Sequence, residues 1–296
     1  MPDQYGLRME FDVIAPVGSG RTADPDWMVG LAQHVEQCGF GSLVVVEHAV
    51  MFAEYASQYP YDPSGRVELA ADCPVPDPLE LLAFIAGSTS RLGLATGVLV
   101  LPDHNPVVLA KRIATLDALS HGRFRLCVGM GWMREEVEAC GADFDTRGRR
   151  ADEQIEVMRA LWSGEPTSYA GEFFGFEHAV CRPAPGARSI PIHVGGHSRA
   201  AARRAGRLGD GLQPLGVAGE ELQALRQEMA RSAEQAGRDP DRLELSLGHL
   251  VTRVDGAKAE RLAEVGATRV VLAMSDTEDL DQAKDELSAC AERLGL

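Results

Sequence analysis

Short apolar runs alternate with segments of helical periodicity along the chain. The first strand candidate is Met9–Ile14, and the helical segment that follows it ends at Gly39. The second candidate, Ser42–His48, begins as a continuous apolar run, which is typical of a strand buried on both faces. A long loop separates it from the helical sequence "DPLELLAFIAGSTS". These segments predict two successive strand–helix units.

The same unit recurs through the rest of the chain. Asn105 and Pro106 are a typical capping residue and first residue for the third helix. Eight alternating units predict an α/β fold with a parallel sheet closed into a (β/α)8 TIM barrel, and the alternative is a doubly wound open sheet. The further strand candidates are "RLGLATGVLVLP", "RFRLCVGMGW", "IPIHVGG", "GLQPLG", "LELSLGHLV" and "RVVLAM".

Two insertions interrupt this alternation within what we predict to be one domain, residues 1–296. Residues 49–76 follow the second strand, and connections of this length usually cover a site or make contacts. We interpret them as a lid whose tyrosines bind substrate, with a subunit contact and a surface excursion as the alternatives. Residues 164–189 precede the fifth strand and contain the hairpin-like "TSYAGEFFGF". The lid tyrosines are Tyr55, Tyr59 and Tyr61.

The composition favours a globular protein that acts on a small-molecule substrate. The chain is 45% hydrophobic and 25% charged, which suits a large core. Its net charge of −15 disfavours nucleic acid and anionic membrane surfaces as partners. No apolar run approaches the roughly 20 residues that cross a bilayer, and Asp3 and Gln4 stand where a leader would be basic. We therefore expect a cytoplasmic protein.

The six cysteines are predicted to be buried free thiols, because they form no CxxC pair and are scattered through apparent helices and strands. Zinc-site spacing is absent as well, so no metal is expected. The residues concerned are Cys38, Cys73, Cys127, Cys140, Cys181 and Cys290.

Glycine is concentrated at the carboxyl ends of three predicted strands, which is the face where barrels bind their ligands. Glycine in a strand marks a bulge or the close approach of a ligand or another backbone. We infer a flat or extended ligand across the barrel mouth, and tight packing of helices on the sheet is the alternative. The positions are Gly97, Gly129, Gly131, Gly195 and Gly196.

The end of the fifth strand, "IPIHVGGHSRAAARRAG", has the composition of a phosphate-binding turn. Gly195 and Gly196 can present backbone N–H groups, and Ser198 adds a hydroxyl at the positive end of the next helix. Ser198 is equally a typical N-terminal capping residue, and the two roles can coexist. We expect His197 to face solvent.

The second strand ends in the pair Glu47-His48. We expect His48 to project into the mouth and exchange protons with a substrate, and the alternative is a structural histidine bonded to the neighbouring loop. Glu47 either contacts substrate or cofactor or orients His48, and the sequence leaves both readings open. Trp132, at the end of the fourth strand, either forms a wall of the pocket or fills the barrel top.

An ordered set of motifs over about residues 9–215 resembles the luciferase-like monooxygenase superfamily, and specifically its deazaflavin-dependent oxidoreductases. The segments are "GFGSLVVVEH", "RLGLATGVLVLPDHNPVVLAKRIATLDALSHGRFRLCVGMGWMREEVEACG", "RGRRADEQIEVMRALWSG" and "IPIHVGGHSRAAARRAGRLGDG". The resemblance implies a TIM barrel that binds a flavin or deazaflavin at its mouth, commonly as a homodimer. It also implies that Glu47 and His48 lie near the reactive ring, and that Gly97 and Val98 fall in the strand that carries a bulge and a non-prolyl cis peptide backing that ring.

The resemblance further implies a set of cofactor contacts, in which one position departs from light-emitting relatives. Those relatives bind flavin mononucleotide (FMN) and carry an arginine where this chain has Met130. Sugar-phosphate dehydrogenases carry a catalytic glutamate where this chain has Trp132, so a more apolar substrate is expected. The implied contacts are Thr96, Gly97, Val98, Gly129, Met130, Gly131, Val194, Gly195, Gly196, His197 and Ser198.

Three functional hypotheses follow. The first is an oxidoreductase that moves a hydride between coenzyme F420 and an organic substrate, with His48 as the proton carrier and Glu47 tuning it. The second is an FMN-dependent monooxygenase fed by a separate reductase. The third is a non-catalytic flavin-binding accessory protein. For the first two, a separate reductase or dehydrogenase that recycles the cofactor is an expected partner.

Overall fold

The computed structural model describes residues 9–185 and 189–296. Asp3 and Gln4, together with positions 186–188 of the predicted insertion 164–189, lie outside the described residues. The strands are β1 (Glu10–Ile14), β2 (Ser42–Val45), β3 (Gly93–Thr96), β4 (Leu99–Val100), β5 (Phe124–Gly129), β6 (Thr167–Ala170), β7 (Gly175–Ala179), β8 (Ile192–Gly195), β9 (Gly211–Gln213), β10 (Glu244–Leu250) and β11 (Arg269–Ala273).

Helices alternate with these strands along the described chain. Short 3-10 turns at Val17–Ser19, Leu101–Asp103 and Pro240–Arg242 complete the elements. The α-helices are α1 (Pro25–Gln37), α2 (Pro78–Ala86), α3 (Pro106–Leu119), α4 (Arg134–Ala139), α5 (Arg147–Leu161), α6 (Arg199–Leu208), α7 (Gly219–Gln235), α8 (Gly256–Glu264) and α9 (Leu280–Leu294).

The parallel strands close into a ring. Strand β1 pairs with β11 on one side and with β2 on the other, and the order continues through β3, β5, β8, β9 and β10 back to β11. Strands β3 and β4 are two halves of one barrel strand, because both pair with β5 on either side of the cis peptide Gly97-Val98. The ring therefore has eight strand positions, which confirms the TIM barrel. The doubly wound alternative is wrong, since β3 pairs with β5 and leaves no open edge there.

Local sequence signals account for many of the boundaries. Asn105 caps α3 by accepting hydrogen bonds from the amides of Val107 and Val108, as its sequence position predicts, which is worth about 1 kcal/mol in typical helices. Strand β2 ends at Val45 rather than at the predicted His48. Its last pair, Val45 with Thr96, lies directly before the cis peptide, so the ladder has no further partner there.

The insertion before β8 forms the predicted hairpin, with β6 and β7 antiparallel. All six cysteines are free, which confirms the thiol prediction, but burial is confirmed at only three of them, Cys127, Cys181 and Cys290. No helix in the described ranges has both the length and the apolarity needed to cross a membrane.

An ionic network fills the barrel interior near the amino ends of the strands. Asp12 of β1 is fully buried, and it accepts hydrogen bonds from Arg125 of β5 at 2.5 Å and from Arg269 of β11 at 2.9 Å. Burial, together with the positive charges of the two arginines, holds the pKa of His193 well below its usual range, so this buried histidine is neutral. In TIM barrels this end of the sheet serves stability, whereas binding sites lie at the other end.

Candidate active site

The carboxyl ends of the parallel strands bring the predicted site residues to one face. His48 follows β2, Trp132 follows β5, and the turn from Gly195 to Ser198 leads from β8 into α6. Gln213 ends β9 beside this turn, in register with Gly195. Residues spread over most of the chain therefore share the barrel mouth.

His48 is held by a residue that the sequence did not single out. Its Nδ1 lies 2.9 Å from Oε2 of Glu136 in α4, a carboxyl that is 1% exposed. The other oxygen of Glu136 accepts a hydrogen bond from the amide of Ala49 at 2.7 Å. Since a carboxylate only accepts hydrogen bonds, Nδ1 carries the proton and Nε2 is the basic nitrogen. Within the described residues, Nε2 makes no hydrogen bond.

Glu47 does not orient His48, so that interpretation is wrong. Oε2 of Glu47 accepts a hydrogen bond from the amide of Val100 at 2.6 Å, and Oε1 accepts one from Nε2 of His104 at 2.9 Å. Glu47 and His48 thus have separate partners, since His48 is held by Glu136 instead. Both carboxylate oxygens are engaged by the protein itself, so Glu47 anchors β4 and the turn that follows it.

His104 forms a second acid–histidine pair beside the first. Its side chain is 15% exposed and that of Glu47 is 4% exposed. Burial lowers the pKa of His104, but the hydrogen bond and charge of Glu47 and the charge of Asp103 outweigh this effect and raise the pKa above its ordinary value. The mouth therefore holds two histidines, each matched to its own glutamate.

The rim glycines make room for a side chain of the protein rather than directly for a ligand. A Cβ at Gly129 would lie 2.5 Å from a methyl of Val98, and one at Gly195 would lie 2.6 Å from the other methyl. A Cβ at Gly97 would lie 2.4 Å from Val44. The close neighbour at these three positions is thus a side chain of the barrel's own strands, and not a helix as the packing alternative proposed. Val98, half-buried between two glycines, forms the floor of the mouth.

Two of the implied cofactor contacts lie inside the barrel wall. The hydroxyl of Thr96 donates to the carbonyl of Cys127 at 2.8 Å and accepts from its amide at 2.9 Å, so both roles are used. Val194 is fully buried in β8. These two predictions are wrong, because alternation along a strand sends neighbouring side chains to opposite sides. Met130 is half-buried against the core, and Gly131 adopts a φ of +76° at the turn that follows.

The turn after β8 keeps the features of an anion site. Gly196 has a φ of +114°, a conformation that favours glycine, and leads into the first turn of α6. The hydroxyl of Ser198 accepts a hydrogen bond from the amide of Ala201 at 3.1 Å, which confirms its capping role. The other first-turn amides have no carbonyl in the preceding turn to bond. Such amides can bind a phosphate together with the helix dipole.

His197 does not face solvent, contrary to expectation. Its ring meets the ring of Tyr61 edge-on, with 5.0 Å between the centroids, and its Nδ1 is buried without a partner in the described structure. Oε1 of Gln213, on the neighbouring strand, is likewise buried and unpartnered. Two polar atoms at adjacent strand ends thus lack a hydrogen bond that a bound polar ligand would supply.

The lid residues join the two ends of the mouth through aromatic contacts. The ring of Trp132 lies edge-on to His48 at 6.2 Å and to Tyr55 at 5.5 Å. Tyr59 lies 5.1 Å from Trp132 and 5.3 Å from Tyr61, which in turn covers His197. Trp132 therefore forms a wall between the barrel and residues 49–76, and the tyrosines cover the mouth as a lid would.

Glu135 ties this loop to α4. One oxygen of its carboxylate accepts from the amide of Ala56 at 2.7 Å, and the other accepts from the hydroxyl of Ser57 at 2.6 Å. The Ser57 hydroxyl and the loop amides lower the pKa of Glu135 to about 2. The hydroxyl of Ser57 also accepts from the amide of Arg134 at the start of α4. Adjacent glutamates of one short helix thus hold the loop and His48.

Glu135→Ala is expected to loosen the loop while leaving the barrel intact. The substitution removes the carboxylate that accepts hydrogen bonds from the amides of Ala56 and Ser57. Because hydrogen bonds to charged groups are strong, we expect the hydrogen exchange of these two amides to rise by about tenfold or more. Mass-spectrometric hydrogen exchange over residues 55–66 measures the effect. Glu138→Ala is the control, since Glu138 is on the same helix and pairs with exposed Arg134. Unchanged exchange in Glu135→Ala would mean that the aromatic contacts alone hold the loop.

Residues 9–292 match the family model for luciferase-like monooxygenases. The chain belongs to the luciferase-like monooxygenase family. This confirms the resemblance found in the motifs, extends it well beyond residue 215, and confirms the prediction of an oxidoreductase. Rv0940c of Mycobacterium tuberculosis is 36% identical over 251 residues, which cover 84% of this chain and 85% of that protein. An F420-dependent glucose-6-phosphate dehydrogenase of Mycolicibacterium gilvum is 30% identical over 225 residues, covering 73% and 62%.

Solved structures share the fold. An F420-dependent secondary alcohol dehydrogenase, in complex with an F420-acetone adduct, matches with a TM-score of 0.77 at 18% identity and covers 98% of this chain and 99% of its own. The oxygenating constituent of 3,6-diketocamphane monooxygenase of Pseudomonas putida, in complex with FMN, matches with a TM-score of 0.67 at 22% identity, covering 88% and 72%. Both cofactor classes, deazaflavin and flavin, thus occur on this barrel.

Several site residues had no distinctive sequence signal. Glu135 and Glu136 begin a helix, where acidic residues are common because of the helix dipole, so nothing marked them as partners of a loop or a histidine. The remaining residues that sequence reasoning missed are Asp103, His104 and Gln213.

Proposed function

We propose that this protein is a coenzyme F420-dependent oxidoreductase that transfers a hydride between the deazaflavin and a small, fairly apolar organic substrate. The observation that carries the proposal is the pair His48–Glu136 at the same mouth as the β8–α6 turn. Met130 in place of a phosphate-binding arginine favours the deazaflavin over FMN, and so does the relative from Mycolicibacterium gilvum.

The residues at the mouth fit such a cofactor. Its phosphate end would lie at the first turn of α6, where the first-turn amides, the unpartnered ring nitrogen of His197 and the hydroxyl of Ser198 are available, whereas the amide of Gly196 donates to the carbonyl of Gln213 at 3.1 Å. Gln213 and the backbone around Val98 would hold the ring end. When bound, the deazaflavin supplies a ring carbon that accepts or donates a hydride.

His48 carries the proton that accompanies the hydride. In the oxidation direction, Nε2 of His48 would accept the proton that a substrate hydroxyl releases, while a bound deazaflavin would supply the hydride acceptor. The imidazolium that forms is stabilised by the carboxylate of Glu136, which already accepts from Nδ1. In the reduction direction the same nitrogen returns the proton. A separate reductase or dehydrogenase would restore the cofactor.

The aromatic lid gives the substrate pocket its chemistry. Tyr55, Tyr59 and Trp132 present ring surfaces beside His48. Such surfaces bind apolar groups and keep bulk water from the reacting atoms. These rings bring no positive charge to pair with the phosphate of a sugar phosphate, so the proposed substrate is less polar.

An FMN-dependent two-component monooxygenase is the second candidate. The observation that favours it is the match to the FMN-bound monooxygenase constituent from Pseudomonas putida. In that case the same mouth would hold reduced FMN and exclude water from the oxygen-transfer step. A deazaflavin does not form the oxygen adduct that such a reaction needs, so cofactor identity separates the candidates.

Equilibrium titration with F420 and with FMN, followed by quenching of tryptophan fluorescence, tests the proposal. We expect F420 to bind with a micromolar or lower Kd and FMN to bind at least about tenfold more weakly, a difference of about 1.4 kcal/mol. Tight binding of FMN with no binding of F420 would contradict the proposal and favour the monooxygenase.

A pair of glycine variants locates the binding site in the same titration. Gly196→Ala strains the turn at a φ of +114° and is expected to weaken F420 binding. Gly237→Ala is the matched control, because Gly237 also has a positive φ but lies after α7, with no atom within 4 Å of an added Cβ. Equal affinities for the two variants would place the phosphate end elsewhere.

A further inference from the structure

A third carboxyl lies beside the two acid–histidine pairs. Asp103 ends the 3-10 turn Leu101–Asp103 that follows β4, and α4 packs on this turn. Both oxygens of Asp103 are buried and have no hydrogen-bond partner in the described part of the chain. The turn itself is held by Gln154 of α5, whose side-chain amide donates to the carbonyls of Leu101 and His104. The position of Asp103 is therefore fixed by packing from two helices.

Asp103 differs from its two acidic neighbours in the donors available to it. Glu136 accepts from His48 and from the amide of Ala49, and Glu47 accepts from His104 and from the amide of Val100. Those donors engage both oxygens of each glutamate, whereas neither oxygen of Asp103 has a donor in the described structure. An ionised carboxylate that is buried without a donor is costly, so such a group binds a proton instead.

The charges around Asp103 point in the same direction. The charges of Glu136 and Glu47 disfavour a negative charge on Asp103, whereas the charge of His104 favours one. The positive charge of Arg112 in α3 lowers the pKa of His104. Burial and the charges of all three acids raise the pKa of the Cys140 thiol at the end of α4. Of the three carboxyls, Asp103 is the one whose surroundings favour the neutral form.

We propose that Asp103 holds a proton in the resting protein and is a positioning residue that sets the proton affinity of His48 through Glu136. The consequence for catalysis rests on the proposed function, whereas the proton on Asp103 and its effect on His48 do not. When Asp103 is neutral, His48 faces the carboxylate of Glu136 without a second negative charge beside it. When Asp103 ionises, the added negative charge favours the imidazolium, so the proton affinity of His48 rises.

Burial and the charges of Glu136 and Glu47 raise the pKa of Asp103 to about 7, against the opposing effect of His104. An unfolded aspartate has an ordinary pKa of about 3.9. Between these two values the folded protein binds a proton that the unfolded chain has lost. This contribution to stability is therefore present at low pH and is lost as the pH rises towards 7.

Asp103→Asn tests the inference without any cofactor. Asparagine keeps the shape but cannot ionise, so the variant lacks the loss of stability between about pH 4 and 7. The difference in Tm between the variant and the unmodified protein is expected to increase by about 2–4 °C, in favour of the variant, between pH 5 and pH 8. Asp281→Asn is the control. The Asp281 side chain is 94% exposed, so the Tm of this variant is expected to follow that of the unmodified protein at each pH.

Nitrogen-15 NMR of the His48 ring gives the site-specific readout. We expect the pKa of His48 to fall by about 0.5–1 unit in Asp103→Asn, since the variant lacks the negative charge that Asp103 gains as the pH approaches 7. Asp103→Ser removes the same carboxyl and is expected to shift His48 in the same direction, which covers a failure of the asparagine variant to fold. An unchanged His48 titration with a flat Tm difference would overturn the inference.

Turnover separates this inference from the proposed function. In an active enzyme, the pH–rate profile of substrate oxidation is expected to reach its plateau at lower pH in Asp103→Asn, by the same shift seen for His48. An identical profile in an active enzyme overturns the inference alone. If no cofactor binds, the NMR and Tm readouts still decide the proton on Asp103, and only the proposed function fails.

Discussion

His48→Asn is expected to lower kcat by about 10²–10⁴-fold, the range that one general acid or base supplies. Asparagine keeps a hydrogen-bonding group towards Glu136, but it cannot take up the substrate proton. Cofactor affinity is expected to change little, because the proposed phosphate end lies across the mouth at the β8–α6 turn. Steady-state kinetics and a fluorescence titration on the same preparation measure both quantities.

A matched histidine variant controls for surface effects. His178→Asn alters an exposed residue of the hairpin whose φ is +52°, a conformation that asparagine tolerates. This variant is expected to keep the unmodified kcat. If His48→Asn also kept it, His48 would be the structural histidine that the sequence left open as an alternative.

Asp12→Ala is expected to lower the free energy of unfolding by about 3–5 kcal/mol, the usual loss when one partner of a buried ion pair is removed. The substitution leaves Arg125 and Arg269 inside the barrel without their shared carboxylate. Nor can neighbouring His193 compensate, because it is buried and neutral. Urea unfolding gives the value, provided that the dependence of the unfolding free energy on urea concentration stays constant.

Asp281→Ala is the comparison for this prediction, since its exposed carboxylate makes only a 4.0 Å contact with Lys284. Surface pairs of this kind contribute about 0–1 kcal/mol. A loss below about 1 kcal/mol for Asp12→Ala would show that the two guanidinium groups find water or other partners. The barrel interior would then not depend on this network.

Both ends of the barrel hold buried polar groups. At the amino ends of the strands, Asp12 accepts hydrogen bonds from both arginines, whereas Nε2 of His193 and Nε of Arg269 lie 3.5 and 3.6 Å from Oε2 of Glu244 without a hydrogen bond in the described structure. At the mouth, His197, Gln213 and Asp103 keep polar atoms without partners in the described structure. Unsatisfied polar groups are costly inside a protein and are retained where a ligand or a proton completes them.

Structural features that depend only on neighbouring residues could be predicted from the sequence. The cap at Asn105, the hairpin, the long loop and the alternation of strands and helices all follow from short stretches of sequence. Eight repeats then fixed the barrel, because few folds accommodate that alternation. The non-prolyl cis peptide that the resemblance implied in this strand is present, between Gly97 and Val98.

Pairings between distant residues could not be predicted in this way. His48 and Glu136 are 88 residues apart, and their contact depends on the angle at which α4 leaves β5. Glu47 is adjacent to His48 in sequence, but it pairs with His104 instead. The predicted cofactor contacts at Thr96 and Val194 were wrong for another reason. A residue's position near the end of a strand does not determine which face of the sheet its side chain occupies.

The proposed function requires one ligand to span the mouth from the β8–α6 turn to His48. A crystal structure of the protein with F420 shows whether it does. We expect the phosphate at the first-turn amides of α6 and the reactive ring within contact of His48. A complex with the phosphate away from Gly196, or with the ring remote from His48, would contradict it.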